Sequence, residues 1–177
     1  MQIKSFILTK TTVECYKIRQ QDRFPWANIT VDASESAGRI QIASGYGSWE
    51  HYWGACGKGF KEFLIGLDIH YTAAKFGEGR WFDQDATIEV LKKSLKEYDG
   101  SKSEKGQMMD EVLSLEDYNK EDYNREDTFV YRAYKCKTLH KLWDSGPDIK
   151  TGISPSFLSF WEKIWPVFIA ELKKELE

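Results

Sequence analysis

Residues 28–43 read NITVDASESAGRIQIA, and this stretch predicts two β-strands joined by a tight turn. The segments 28–32 and 39–43 carry the β-branched residues that favour strands. Between them lie aspartate, serine and glycine, which form turns. A connection this short has no room for a crossover, so we expect the two strands to pair antiparallel.

The residues that precede this pair continue the strand pattern. Residues 2–9 alternate between apolar and polar side chains, and residues 13–19 do so before the alternation shifts. Turn formers at 22–25 separate the second of these segments from 28–32. We therefore predict an N-terminal antiparallel sheet of three or four strands within residues 1–53.

After Gly54 the apolar residues recur at three and four positions, which is the period of a helix. Residues 99–106, DGSKSEKG, are predicted to form a mobile loop. A sheet followed by helices is an α+β fold, which we expect to form a single domain over residues 1–177, with its helical part at 54–177. The predicted helices lie at 60–74, 83–98, 107–127, 128–143 and 154–176.

The last of these helices is the best-defined element in the sequence. Ser154 is suited to cap its first turn, and Pro155 to stand at its first position. Pro166 has no N–H to donate, so a kink is expected there. Further apolar residues widen the stripe, which predicts deep burial or a second partner surface. The stripe is Leu158, Trp161, Trp165, Phe168, Leu172 and Leu176, widened by Phe157, Phe160, Ile164 and Val167.

Length and composition exclude several classes of protein. The chain has 177 residues, enough to bury a core, with 25 basic and 28 acidic residues and a net charge of -3. The first residues do not have the form of a signal peptide, and no stretch approaches the roughly 20 apolar residues that cross a bilayer. Three separate cysteines without a paired spacing fit a reduced environment. We therefore expect an intracellular protein with no membrane contact.

Residues 44–59, SGYGSWEHYWGACGKG, form the most unusual segment of the chain. Glycines and a lysine before a helix are the ingredients of a phosphate-binding loop. The P-loop pattern is not met, because it requires glycine at Tyr52 and serine or threonine at Gly59. We interpret the segment instead as a strand end and a tight turn whose aromatic side chains pack against the following helix.

Patterns for catalysis and metal binding are incomplete. Cys56 with His51 or His70 would supply a thiol nucleophile and its base, but nothing in the sequence brings them together. Cys136 and His140 stand four residues apart and form half of a zinc site, without a second pair. No catalytic residue, metal or cofactor is therefore assigned. Acid–base work depends on the separation and burial of carboxylates, which the sequence does not give, so those near the unusual segment are interpreted as solvated surface acids. They are Glu50, Glu62, Asp68 and Glu78.

Acidic residues concentrate in residues 97–127, which hold 11 acids and 4 bases and so a net charge of -7. One interpretation is a solvated loop and helix face, which most charge runs form. The other is a binding surface, because rows of carboxylates can present negative charge at spacings comparable to nucleic-acid phosphates and so occupy a basic channel in a partner. Tyrosines within the stretch favour an interface, because aromatic residues are enriched in interface cores. The residues predicted to contact a partner are Glu116, Asp117, Tyr118, Glu121, Asp122 and Tyr123.

Direct binding of nucleic acid is disfavoured, since the net charge is negative and no basic stripe stands out. The densest basic cluster is interpreted as a solvated helix face that balances the acidic stretch. It contains Arg132, Lys135, Lys137 and Lys141.

Residues 42–76, IASGYGSWEHYWGACGKGFKEFLIGLDIHYTAAKF, resemble a segment that recurs in small proteins encoded by bacteriophages and prophages. In that group a Ser-x-Tyr-Gly-x-Trp/Tyr strand end precedes an aromatic-Trp-Gly pair and a Phe-Lys-Glu-Phe-Leu-like helix. The resemblance covers about a fifth of the chain and carries no catalytic assignment. It implies a phage-encoded protein in the cytoplasm of the host bacterium, in a size class that includes inhibitors of host defence such as anti-CRISPR proteins. The matching residues are Tyr46, Gly47, Tyr52, Trp53, Gly54, Phe60, Lys61, Glu62, Phe63 and Leu64.

Three hypotheses of function follow. The leading one is a phage-type stoichiometric binding protein that inhibits a host nucleic-acid-targeting defence complex, a protein or ribonucleoprotein, through the acidic surface. The second, less favoured, is a small intracellular enzyme with a pocket near His51, Cys56 and His70. The third is a homo-oligomeric structural module that buries apolar residues of the last helix against a symmetry mate. Those residues are Phe157, Trp161, Trp165 and Phe168.

Overall fold

The chain forms two compact units. Unit 1 consists of Met1–Gly79 and Ile153–Glu177, and unit 2 is Arg80–Gly152. The single domain predicted over residues 1–177 stays a prediction. The computed structural model describes residues 7–20, 24–57, 59–116 and 126–177.

Unit 1 is built on a four-stranded antiparallel sheet. Its strands are β1 (Glu14–Arg19), β2 (Trp26–Ala33), β3 (Gly38–Ser44) and β4 (Ser48–Trp53). They lie in the order β1-β2-β3-β4, so each strand pairs with its neighbours in the chain. The predicted α+β class, with an N-terminal antiparallel sheet ahead of helices, is confirmed.

The strand predicted at 2–9 is wrong for the part that the structure describes. Residues 7–9 form no strand, and residues 2–6 lie outside the described residues. Ile7 and Leu8 are 95% and 94% exposed. The apolar side chains whose alternation predicted a strand here therefore do not pack against the core of the described residues.

The fourth strand lies instead within residues 44–59. A turn starts it, because the Ser44 hydroxyl accepts hydrogen bonds from the N–H groups of Tyr46 and Gly47, each at 3.2 Å. This turn sends the chain back along β3. The interpretation of the segment as a strand end and tight turn is confirmed, and the structure adds a complete strand to it.

The described residues form seven α-helices. They are α1 (Phe60–Ile65), α2 (Ile69–Phe76), α3 (Gln84–Glu97), α4 (Lys102–Glu116), α5 (Glu126–Lys135), α6 (Pro155–Lys163) and α7 (Trp165–Leu176). Unit 2 also contains a 3₁₀ helix at Leu139–Leu142 and the antiparallel pair β5 (Trp81–Phe82) and β6 (Thr151–Gly152). None of the described helices is both long enough and apolar enough to cross a membrane.

The helix predicted at 60–74 is two helices. Gly66 ends α1, and its N–H donates to the carbonyl oxygen of Phe63 at 3.1 Å. Asp68 then begins α2, because its carboxylate accepts a hydrogen bond from the Tyr71 N–H at 2.9 Å. An aspartate cap so close to a glycine divides the apolar stripe between two short helices.

The helix predicted at 154–176 is also divided. Ser154 caps α6 as predicted, and its hydroxyl accepts a hydrogen bond from the Phe157 N–H at 3.2 Å. Pro166 lies in the first turn of α7, where its missing N–H needs no partner within the helix. The expected kink is therefore a break at Ile164, between α6 and α7.

The inner face of the sheet and the helices of unit 1 share one core. Trp49 of β4 lies edge-on to Phe157, with ring centres 5.2 Å apart, and 5.0 Å from the ring centre of Phe160. Trp53 of the same strand lies 5.9 Å from Phe60 of α1. Burying a side chain of the size of phenylalanine contributes about 1.5–3 kcal/mol, so these contacts hold the sheet and helices together.

The buried stripe of α6 and α7 differs from the predicted one. Leu158 and Leu176 are 36% and 44% exposed, while Phe157 and Phe160 are fully buried. The reason is that Phe157, Phe160 and Ile164, which were expected only to widen the stripe, face the core, whereas Val167 is exposed. Phe157, Trp165 and Phe168 are buried in this core and are not available to a symmetry mate. The buried stripe is Phe157, Phe160, Ile164, Trp165, Phe168 and Leu172.

Unit 2 packs α3, α4 and α5 around a separate core. Asp83 caps α3 by accepting a hydrogen bond from the Ala86 N–H at 2.9 Å. The apolar faces of α3 and α4 are buried in this core. This core contains Ile88, Leu91, Leu95, Met108, Val112, Leu115, Phe129, Ala133 and Leu139.

The mobile loop predicted at 99–106 is wrong from Lys102 onward, where α4 begins. Ser101 and Glu104 form a capping box: the Glu104 N–H donates to the Ser101 hydroxyl at 3.2 Å, and the Ser101 N–H donates to the Glu104 carboxylate at 3.1 Å. The helix predicted at 128–143 ends at Lys135, and the 3₁₀ helix follows it.

A carboxylate of α4 holds the 3₁₀ helix in place. Glu111 accepts hydrogen bonds from the backbone N–H groups of Lys137, Thr138 and Leu139 at 2.7, 3.0 and 3.0 Å. The Thr138 hydroxyl also donates to it at 2.7 Å. Burial alone would raise the pKa of Glu111, but these hydrogen bonds hold the pKa below its usual value of 4.5.

We expect Glu111→Gln to lower the free energy of unfolding by about 1–3 kcal/mol at pH 7, because a neutral amide replaces a charged acceptor. A carboxylate with a lowered pKa stabilises the fold fully above pH 4.5, and this stabilisation is lost as the pH falls through the folded-state pKa. The difference in the free energy of unfolding between wild type and variant should therefore become smaller as the pH is lowered. Urea denaturation at a series of pH values measures it.

Asp110→Asn is the matched control, since Asp110 is exposed on the same helix and loses the same charge. It should change the free energy of unfolding by less than about 0.5 kcal/mol. Equal losses in the two variants, or a loss in Glu111→Gln that persists unchanged in acid, would contradict a cap formed by the charged carboxylate.

Candidate binding surface

One face of the sheet in unit 1 is turned away from the helices of that unit. Side chains along a strand alternate between two faces. In β2, Ile29 and Val31 are buried, while Asn28 and Thr30 between them remain partly accessible. We name the accessible side the open sheet face. Its residues are Cys15, Lys17, Arg19, Trp26, Asn28, Thr30, Asp32, Arg39, Gln41, Ala43, Ser48, Glu50 and Tyr52.

The middle of the open sheet face is a hollow of about 320 Å³. It forms because Ala43 of β3 lies opposite Ser48 of β4, and both side chains are small. Longer side chains stand beside this pair. The lining residues are Asn28, Thr30, Gln41, Ile42, Ala43, Ser48, Trp49 and Glu50.

The hollow offers both donors and acceptors of hydrogen bonds. Asn28, Thr30 and Ser48 carry neutral polar groups that can do either. Gln41 Nε2 donates to the Glu50 carboxylate at 3.1 Å, which orients both side chains at the edge of the hollow. Such a lining suits amide and hydroxyl groups, of the kind that a protein segment presents.

Arginine and aromatic side chains stand at the two ends of the hollow. At one end, Arg19 donates to the Asn28 amide oxygen at 2.5 Å, and its guanidinium carbon lies 5.6 Å from the centre of the Trp26 ring. At the other end, Arg39 pairs in register with Tyr52, which is 56% exposed. Arginine and large aromatic residues dominate the energetics of protein interfaces.

The open sheet face is hard to recognise as a site from the sequence. Its members come from four strands, and only the register between strands shows that they share one face. The alternation of polar residues with isoleucines in 28–32 and 39–43 was the one signal in the sequence.

Only one of the six predicted contact residues lies within the described part of the chain. Glu116 is the last residue of α4, and its exposed carboxylate pairs with Lys92 Nζ at 3.0 Å. The role of all six residues stays a prediction. Those outside the described residues are Asp117, Tyr118, Glu121, Asp122 and Tyr123.

Other acids of the same stretch are engaged within unit 2. Glu104 forms an ion pair with Lys141 at 2.9 Å, and this contact, together with hydrogen bonds from Ser101, lowers the pKa of Glu104 to about 2. Lys141 therefore pairs with one carboxylate of the stretch, but the single basic helix face that was predicted is wrong, because Lys137 and Lys141 lie beyond the end of α5. Glu111 has its capping role at the 3₁₀ helix.

The cysteine and histidines of the predicted catalytic pair lie on different elements of unit 1. His51 packs edge-on against Trp53 with ring centres 4.5 Å apart, and burial together with Lys75 lowers the pKa of His51. His70 is exposed on α2, and Cys56 is half-buried after β4. The catalytic pair stays a prediction.

The proposed half of a zinc site has no further ligands among the described residues, where no group of three or more histidine, cysteine or acidic side chains is placed to hold a metal. The Cys136 thiol donates to the carbonyl oxygen of Arg132 at 3.5 Å. Burial, and then the Glu111 carboxylate, raises the pKa of the Cys136 thiol. The thiol is therefore held in its protonated form at neutral pH.

We expect iodoacetamide to modify Cys15 first in the folded protein, and Cys136 more slowly by about tenfold or more. Cys15 is exposed, whereas the raised pKa of Cys136 reduces the thiolate that reacts. Mass spectrometry of a time course measures both rates. In urea the two rates should converge, and equal rates in the folded protein would contradict this account of Cys136.

The chain matches a known protein family over most of its length. No curated protein and no solved structure matches the chain. A family model described as a phage family matches residues 1–174. This match extends the resemblance carried by residues 42–76 to almost the whole sequence. The chain belongs to this phage family.

Proposed function

We propose that this phage-family protein acts by stoichiometric binding to a host complex that targets nucleic acid, and inhibits it. The observation that carries the binding part is the open sheet face, with its polar hollow between arginine and aromatic side chains. Interfaces combine polar groups with a few such anchors. Membership of a phage family supports a target in the host.

The size of the open sheet face indicates that it is part of a larger contact. Strands of six residues at about 3.3 Å per residue, set about 4.8 Å apart, give four strands a face of roughly 15–20 Å by 20 Å. A stable interface buries about 800 Å² on each partner, which is roughly twice that area. A stable complex therefore needs a second surface, and the open sheet face alone suits one segment of a partner.

We propose the acidic stretch, residues 97–127, as that second surface. A complex that targets nucleic acid has basic channels, which attract carboxylates and are blocked when these occupy them. Lys92 and Lys141 already neutralise Glu116 and Glu104 in part. The proposal therefore depends most on carboxylates other than these two, such as Glu121 and Asp122.

The partner is sought by capture on the tagged full-length protein from nuclease-treated lysates of bacteria that carry defence complexes. Nuclease treatment removes proteins held only through nucleic acid. We expect a defence nuclease complex at near-equal stoichiometry, identified by mass spectrometry. A protein that captures no such complex, or that leaves the nuclease activity of the captured complex unchanged, contradicts the proposal.

We expect Ala43→Arg to weaken binding of the captured complex by roughly tenfold or more, because the larger side chain fills the hollow. Titration of the purified complex measures the change in Kd. Ala33→Arg is the matched control, since Ala33 is also exposed on the sheet but does not line the hollow. Equal effects of the two substitutions would contradict a role for the hollow.

We expect Glu121→Lys combined with Asp122→Lys to weaken binding by roughly tenfold or more, and wild-type binding to weaken as salt is raised. The matched control is Glu35→Lys combined with Glu162→Lys, which changes the net charge equally at exposed positions outside the stretch. If neither higher salt nor the charge reversal at Glu121 and Asp122 weakens binding, the acidic stretch is not a contact surface. The open sheet face would then be the contact.

A further inference from the structure

Among the described residues, β4 is an outer strand of the sheet, and its far edge pairs with no other strand. Ser44 donates its N–H to the carbonyl oxygen of Gly47 at 2.9 Å, so these two residues are a hydrogen-bonded pair. Pairs alternate along an antiparallel ladder, so His51 bonds to β3, while the N–H and C=O groups of Glu50 and Tyr52 point away from it. Within the described residues, these outward groups have no backbone partner.

The two outer strands differ in how they are protected. Edges that must not pair with other chains carry lysine, proline or other charged groups. The strand β1 contains Lys17 and Arg19, and the Arg19 side chain donates to the carbonyl oxygen of Ile18 in its own strand at 2.7 Å. The strand β4, SWEHYW, has no lysine, arginine or proline over six residues, and Glu50 is its one charged side chain. An edge of this length with a single charge is a template for another strand wherever that charge meets a compatible side chain.

The sequence of β4 is complementary to itself in one antiparallel register. With His51 opposite His51 of a second copy, Glu50 lies opposite Tyr52 of that copy, and Tyr52 opposite its Glu50. The outward N–H and C=O groups of both residues then pair, and a phenol faces a carboxylate on each side. A register centred on Glu50 would set two carboxylates against each other, which destabilises a strand pair.

His51 stands at the centre of this register, with Lys75 of α2 nearby. Burial and the nearby Lys75 lower the pKa of His51, so its imidazole is neutral. The tryptophans on either side, Trp49 and Trp53, keep their rings in the core of their own copy, where they are 7% and 5% exposed. Strand pairing therefore requires no rearrangement of that core.

We propose that two copies of the chain pair through the edge of β4, in the register centred on His51, to form a continuous eight-stranded sheet. The contact is isologous, as a two-fold axis requires, because each copy contributes the same strand. It differs from the predicted contact through the last helix, and it does not rest on the proposed host target.

The experiment measures the mass of the purified full-length protein by light scattering over a range of concentrations. One chain has a mass of 20.6 kDa, and we expect the measured mass to be twice that value. Tyr52→Glu should weaken the dimer by at least about tenfold, because it sets a second carboxylate opposite Glu50. Adding Glu50→Lys to that variant should restore the dimer, because opposite charges then face each other.

Lys17→Glu on the protected edge is the control and should leave the dimer intact, and circular dichroism shows that each variant is folded. A monomeric wild type at every concentration would overturn the proposal. A dimer that survives Tyr52→Glu would overturn it as well. Loss of the dimer in Tyr52→Glu without recovery on adding Glu50→Lys would show that the register is wrong.

Discussion

The structure of unit 1 depends on the burial of two tryptophans from one strand. Trp49 and Trp53 of β4 are both in contact with phenylalanines of the helices, and each indole N–H has a polar partner. Trp49 donates to Glu78 at 2.6 Å, and Trp53 donates to the Tyr71 hydroxyl at 2.9 Å. Burial of an indole is favourable when its ring packs against apolar side chains and its N–H donates to a hydrogen-bond acceptor. Because the helices, with Glu78 just after α2, supply both the phenylalanines and the hydrogen-bond acceptors, they cover the face of the sheet that carries Trp49 and Trp53. The opposite face is left open.

Several carboxylates of the chain have structural roles. Lys61 of α1 contacts Glu14 of β1 and Glu175 of α7, which joins three elements of unit 1. These contacts, with Tyr16, outweigh the effect of burial and raise the pKa of Lys61. In unit 2, Glu111 caps the 3₁₀ helix. The net charge of a segment therefore overstates the charge available to a partner, since carboxylates that cap or pair are already engaged.

The sequence predicted those elements whose signals are local. The strands at 28–32 and 39–43 follow from β-branched residues and a turn, and the Ser154 cap follows from its side chain and the proline after it. Two further local signals in the sequence mark elements that the predictions above miss. Aromatic rings at alternate positions 49, 51 and 53 mark β4, and serine at 101 with glutamate at 104 marks the capping box that starts α4.

The open sheet face was not predictable in the same way, because it exists only in the register of four strands. The register also sets which edge residues are outward. Glu50 lines the hollow of the open sheet face and belongs to the self-complementary edge of β4. In a two-fold pair through β4, the axis stands perpendicular to the sheet, so the open faces of both copies lie on the same side. The two hollows then adjoin across the pair. A partner with two contact segments would bind both at once, and the second contact would gain from its high effective concentration.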